Sequence, residues 1–313
     1  MNWFTSYQDL SIVLVIPLMV ATAIDLRKNW SSVWDEKLTS KDRQILLRCA
    51  LFLIMPGAVL LHELGHAWAT IACGGRVSEF HYGILWGYVV PSGSFTDLQL
   101  LYIYLAGNAI EILLGLLVLC LLPFVRSPSL TALLTYFGLW TLGATIVFYP
   151  ALSLVGMYGD WIAIYTSPLV GMKVLVGLIH LLLVGFLAFL VYGEMPRLWF
   201  MRRTDSDWDK AYSELMAGMK EREDPQDYLR LAWLYYDAGL NAKAQQFVTK
   251  FALRSSHNAE SKLLEALLAL NRGKTEEAIA TLEEITQDEV LTPDIASRRD
   301  AVLAVLRKAR AKK

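Results

Sequence analysis

Charge is the first scarcity in this sequence: Asp, Glu, Lys and Arg make up 19% of its 313 residues, against about 25% in an ordinary soluble domain. The two signs nearly cancel, leaving a formal net charge of -1, which excludes a strongly basic nucleic-acid binder on bulk electrostatics. Cysteine is scarcer still. Cys49, Cys73 and Cys120 lie in or beside apolar segments; their odd number closes no disulfide framework, and their spacing fits no thiolate metal site. The first apolar run lacks the basic start and the small-x-small cleavage site of a secretion signal, so it reads as an anchor.

What the sequence has in excess is apolar surface. Hydrophobic residues reach 55% and mean hydropathy is +0.39, and the excess is concentrated. Residues 1–200 carry nearly all the long apolar runs, while 205–313 read as soluble. The expected fold is mainly α: a multi-spanning helical membrane domain over 1–200 with a small interfacial β element, then a soluble α-helical repeat domain over 205–313. The partners implied are a lipid bilayer and no nucleic acid.

Leu10–Ile24, led in by Trp3, Phe4 and Tyr7, is a first candidate span. The segment 25–48 that follows carries Arg27, Lys28, Lys37, Lys41, Arg43 and Arg48, the mark of a cytoplasmic connection. Apolar segments recur at 49–72, 98–122, 130–148, 151–165 and 170–192, with Tyr149-Pro150 reading as a break between the third and fourth. Arg197, Arg202 and Arg203 then restore a basic, cytoplasmic signature. An even number of crossings must separate two segments on one side, so either one of the five is a half-helix or re-entrant, 151–165 being the shortest, or one of the two basic signatures does not mark the cytoplasmic side. This makes the chain a multi-pass integral membrane protein with its repeat domain in the cytoplasm.

Between the segments ending at 72 and starting at 98 the period changes. Val77, Phe80, Tyr82, Ile84, Trp86 and Tyr88 fall nearly every second position, with Gly83 and Gly87 among them. That is the pattern of a strand or re-entrant hairpin, which must lie at the interface or against the helices, since lipid satisfies no backbone polar group. A free strand edge there would suit an extended substrate that pairs by strand addition; a plain interfacial loop is the alternative. In the C-terminal part, an offset of 34 superposes Ala232 on Ala266, Leu234 on Leu268, Gly239 on Gly273 and Ala244 on Ala278. A period of 34 is tetratricopeptide-like. The two units run over 225–255 and 259–291, with 295–311 as a capping helix, and would present a face to a peptide or protein partner. A helical bundle with a chance offset is the alternative.

The chemistry centres on His62-Glu63-Leu64-Gly65-His66, inside the apolar run 49–72. Histidines four apart share a helix face and can reach one metal ion, and Glu63 beside them is placed to take a proton from water. Ionisable groups are costly in hydrocarbon, so three within five residues mark a functional site. Catalytic zinc wants a third protein ligand; the candidates are Asp160, Glu111, Asp97, Glu79, His81 and His180. Asp160 leads, as the only carboxylate between Glu111 and Glu194. Asn108 and Glu111, three apart in the next apolar helix, face the protein interior, and Glu111 is a candidate to support a ligand by hydrogen bonding.

Three features in order resemble the site-2-protease-like intramembrane zinc metalloproteases. They are His62-Glu63-Leu64-Gly65-His66-Ala67, then Leu105-Ala106-Gly107-Asn108, then Gly159-Asp160, and they cover roughly 49–165. Asn108 stands where that family has proline, and Tyr158 and Trp161 replace the leucine and glycine that flank its aspartate. The resemblance implies one catalytic zinc on His62, His66 and Asp160, with Glu63 as general base. The implied activity is an endopeptidase cutting a transmembrane protein substrate, and the repeats would take over recognition or regulation. The alternatives are a catalytically inactive scaffold or regulator acting through its repeats, and a different membrane metal hydrolase.

Overall fold

The computed structural model describes residues 3–155, 159–285 and 293–310. The chain divides into two compact units, one of Met1–Pro196 with Arg203–Asp205, the other of Arg197–Arg202 with Ser206–Lys313.

In the first unit, α1 (Trp3–Lys28) is followed by α2 (Ser40–Ala72). A capping box starts α2: the Thr39 side chain accepts from Asp42 N–H, and the Asp42 carboxylate accepts from Thr39 N–H at 3.0 Å. A π-helical turn at Ala50–Ile54 precedes the motif. The helix ends at Cys73, where Gly74 takes φ +82. Strands β1 (Arg76–Tyr82) and β2 (Gly87–Ser92) pair antiparallel with an irregularity between Val77 and Glu79. Then come α3 (Asp97–Leu121), α4 (Pro128–Leu154), α5 (Asp160–Thr166) and α6 (Val170–Tyr192). Among the described residues, four helices are long and apolar enough to cross a membrane: Ser40–Ala72, Asp97–Phe124, Pro128–Leu154 and Val170–Tyr192.

Two expectations need correction. Of the alternating residues, Val77, Phe80, Tyr82 and Tyr88 lie on strands, but Ile84 and Trp86 lie in the connection between β1 and β2, and Ile84 has φ +71. The alternation ran through the turn by chance of phase. Nor do Tyr149 and Pro150 break the helix, because α4 runs through them to Leu154 by way of a π turn at Ala144–Phe148. Tyr149 N–H turns to Ala144 O, and Pro150 has no N–H, so Thr145 O and Ile146 O lose the donors an α-helix would supply four residues on. Two side chains replace them. Trp161 Nε1–H donates to Thr145 O at 3.0 Å, and His180 Nε2 lies 2.6 Å from Ile146 O. What remains of the segment 151–165 after α4 is α5, seven residues long and too short to cross.

In the second unit, α7 (Glu194–Thr204, shared with the first unit at its ends) and α8 (Ser206–Glu221) precede four helices in two pairs. These are α9 (Pro225–Asp237) with α10 (Asn241–Ala252), and α11 (Ala259–Asn271) with α12 (Thr275–Glu283). Each member of the second pair starts 34 residues after its counterpart. The turns match as well. Gly239 and Gly273 take φ +70 and +76, and Leu240 and Lys274 return N–H bonds of 2.8 and 3.0 Å to Tyr235 and Ala269. Ala232, Ala244, Ala266 and Ala278 are fully buried, so the small residues of the 34-residue offset are those at the helix crossings. Last comes α13 (Pro293–Arg310), on the segment expected to cap the array; positions 286–291 of the second unit of the offset lie outside the described residues, as does Tyr158.

Candidate metal centre

His62 and His66 sit one turn apart on α2, facing α3 across a close helix crossing. The approach depends on Gly107, where a Cβ would lie 2.3 Å from His66 Nε2 and 2.7 Å from His62 Nε2. Any side chain there would fill the space the imidazoles use. Both histidines are buried, as are Glu63, Asn108 and Glu111.

The outer nitrogen of each ring is held. His66 Nδ1 lies 2.7 Å from the Ile103 carbonyl oxygen, and His62 Nδ1 lies 3.1 Å from Glu111 Oε2. Both partners accept, which assigns the proton to Nδ1 and leaves a lone pair on each Nε2. These two Nε2 atoms are 2.9 Å apart, and Asp160 Oδ2 is 3.2 Å from His62 Nε2 and 3.1 Å from His66 Nε2. Three lone pairs thus converge on one point, an arrangement that repels itself unless a cation lies among them. Tetrahedral zinc ligands stand roughly 3.3 Å from one another, a few tenths of an ångström wider than here. The donor set, two neutral imidazoles and a carboxylate, fits a zinc ion. Among the described residues no other group of three such donors is clustered in this way.

Asp160 is held on the other side by α3 and α4. Asn108 Nδ2 donates to Asp160 Oδ2 at 3.4 Å and to Tyr104 O at 3.1 Å. Tyr149 OH donates to the same carboxylate oxygen at 3.1 Å and accepts from Asp160 N–H at 3.0 Å. Glu111 Oε2, which holds His62, also lies 2.8 Å from Thr145 Oγ1. Glu63 is buried beside the two histidines, and its Oε2 has no hydrogen-bond partner. A buried, unbonded carboxylate oxygen is costly. The turn of the hairpin approaches it closely: a Cβ on Gly87 would lie 2.6 Å from Glu63 Cγ.

The structure therefore gathers His62, Glu63, His66, Asn108, Glu111 and Asp160. It leaves the remaining candidates elsewhere. Asp97 is exposed in the first turn of α3, and Glu79 is exposed beside Tyr88 OH at 3.4 Å. His81 stacks on Trp86 and Tyr88, with ring centroids 4.6 and 5.4 Å away. His180 is bonded to Tyr165 OH and to Ile146 O. Val77 and Phe80 are on β1 with Tyr82, whose OH donates to Pro56 O at 2.8 Å. Sequence reasoning missed Tyr149, Thr145 and Gly87 as site residues, while Gly107 stood within the Leu105-Ala106-Gly107-Asn108 motif without a role of its own. The position of Tyr149 beside a proline was the only local signal; the others look like ordinary members of apolar or glycine-rich runs. No family model, no curated protein and no solved structure matches this chain.

Proposed function

We propose that the protein is a zinc-dependent intramembrane endopeptidase that hydrolyses peptide bonds in or near transmembrane helices. The observation that carries this reading is the convergence of His62 Nε2, His66 Nε2 and Asp160 Oδ2, all within 3.2 Å of one another, beside Glu63, whose Oε2 has no hydrogen-bond partner. Zinc bound there supplies Lewis acidity, acidifying water and polarising a carbonyl oxygen. Glu63 takes the proton of the water that attacks the scissile carbonyl carbon, then returns it to the amine as the C–N bond breaks. Ile103 O and Glu111 fix the two imidazoles so that Nε2 stays unprotonated, and Asn108 and Tyr149 fix Asp160.

The substrate class follows from the surroundings. The motif lies along a helix of spanning length, so what reaches it is a transmembrane segment unwound locally, and the hairpin offers a free strand edge where β2 begins against Glu63. Four crossings, α2, α3, α4 and α6, separate the basic segment before α2 from Arg197, Arg202 and Arg203. Both then lie on one side, the cytoplasmic one by their Lys/Arg excess. The helix pairs of 34-residue period act as a tetratricopeptide-like module for a peptide or protein partner.

The test is metal content together with cleavage of a transmembrane test substrate by the full-length protein in lipid nanodiscs. Glu63→Gln is expected to retain zinc and to lose about 10²–10⁴-fold in cleavage rate. Undiminished cleavage by that variant removes Glu63 from the role of base. Folded wild-type protein that takes up no metal points instead to a non-catalytic scaffold working through its repeats.

A further inference from the structure

One ionisable group within the apolar helices takes no part in the mechanism above. His180 lies in the middle of α6, whose only buried residue is Leu187. An imidazole on so apolar a helix needs a reason, and its contacts supply one. Its Nε2 donates to Ile146 O, one of the two carbonyls that the π turn and Pro150 leave without an α-helical donor. With that proton placed, Nδ1 accepts from Tyr165 OH. The ring also stacks on Trp161 with centroids 4.4 Å apart. Trp161, buried and next in sequence to Asp160, fills the other open carbonyl, Thr145 O. Thr145 in turn meets Glu111 through its hydroxyl.

We infer that His180 is a positioning residue of the metal centre: with Trp161 it occupies the backbone acceptors opened by Pro150, and so fastens the seven-residue α5 that carries Asp160. A helix that short is not stable alone, and it offers Asp160 from its first turn. The bonds of Trp161 and Tyr165 add to the hold that Asn108 and Tyr149 have on Asp160 and to the packing of Trp161 and Ile164 against Leu101. Removing the His180 donor strands Ile146 O and frees Tyr165, so α5 turns and Asp160 Oδ2 leaves the point where the two Nε2 atoms meet. The inference rests on the metal-centre reading above.

The experiment is cobalt(II) binding to the full-length protein in nanodiscs. It is read as affinity in competition with a chelator, and as the d–d absorption whose strength reports four-coordinate geometry. His180→Phe keeps a ring on Trp161 and deletes the donor. It is expected to weaken affinity at least about tenfold, the range for removing a group that orients a ligand, and to lower the d–d absorption. Pro150→Ala restores a backbone N–H to Ile146 O, so in that background His180→Phe is expected to cost less than about threefold. If His180→Phe does not remain folded, Trp161→Phe, which deletes the indole donor to Thr145 O together with part of the buried ring, carries the same expectation. Wild-type affinity and spectrum in whichever of these variants folds would overturn the inference. Wild-type protein that binds no cobalt(II) overturns the metal centre itself, a different result from a metal held equally well without the tether.

Discussion

On α6, Leu181 and Leu182 are 67% and 73% exposed, and α2 shows Trp68 and Ile71 at 63% each. In the second unit, Leu231, Leu263, Leu264 and Leu268 are all within 1% of full burial. The interiors differ too. Buried side chains of the first unit include His62, Glu63, His66, Asn108, Glu111, Thr131, Thr141 and Thr145 beside apolar ones such as Leu46 and Ile146, whereas the centre of the second is apolar and aromatic around Phe251. The first unit exposes more large apolar side chains and buries more polar ones; the second buries few polar groups, Asp227 and Ser261 among them. Exposed hydrocarbon is costly in water and unpaired polar groups are costly in hydrocarbon, so the first pattern is compatible with a bilayer as solvent and the second with water.

The largest effect expected from testing that contrast is in the second unit. Phe251→Ala empties a fully buried site, and the loss should be about 3–5 kcal/mol, read as a lowered midpoint in denaturant unfolding of the second unit within the full chain. A change under about 1 kcal/mol would mean that this core is not what holds the helix pairs together. Next, Leu182→Arg places a charge on the apolar exterior of α6, at a cost of about 2.5–3.5 kcal/mol for insertion. The measurement is the fraction of chain that resists alkaline extraction from membranes; unaltered extraction would show that α6 does not lie in lipid. Smaller still are Gly239→Ala and Gly273→Ala, each about 1 kcal/mol because alanine resists φ near +70. Equal losses at the two sites, additive in the double variant, would support equivalent repeat turns, and a loss at one alone would break the equivalence. Least of all is Glu277→Gln. The Lys274 ammonium beside Glu277 holds its carboxyl below the ordinary glutamate value. The stabilisation is therefore present above the unfolded pKa and lost as pH falls through the lower folded one. Because both side chains are solvated, the expected shift in unfolding midpoint between the variant and the parent is undetectable across that acid window.

How much could be read from the sequence followed from how local the cause was. His62 and His66 are one helical turn apart, so their shared face needs no knowledge of the fold. Asp160 was legible for a different reason: an acid alone in a long apolar stretch must be paid for by a partner. The paired helices were visible because Gly239 and Gly273 repeat a turn that only a left-handed residue closes well. Pro150 misled because its missing N–H was judged against its own helix, while the groups that compensate, Trp161 and His180, come from α5 and α6. Ile84 and Trp86 misled because a four-residue connection preserves the parity of an alternating pattern. Thr145 was silent for want of any one-dimensional mark and Tyr149 had only the proline beside it, since their roles exist only through what α3 and α5 bring to them.

Consider finally Gly107 in mutational terms. The smallest possible change adds one methyl group, and that carbon would stand 2.3 Å from His66 Nε2, among the very atoms that meet Asp160. Position 107 is thus an alphabet of one letter. Drift at this site has no neutral first step.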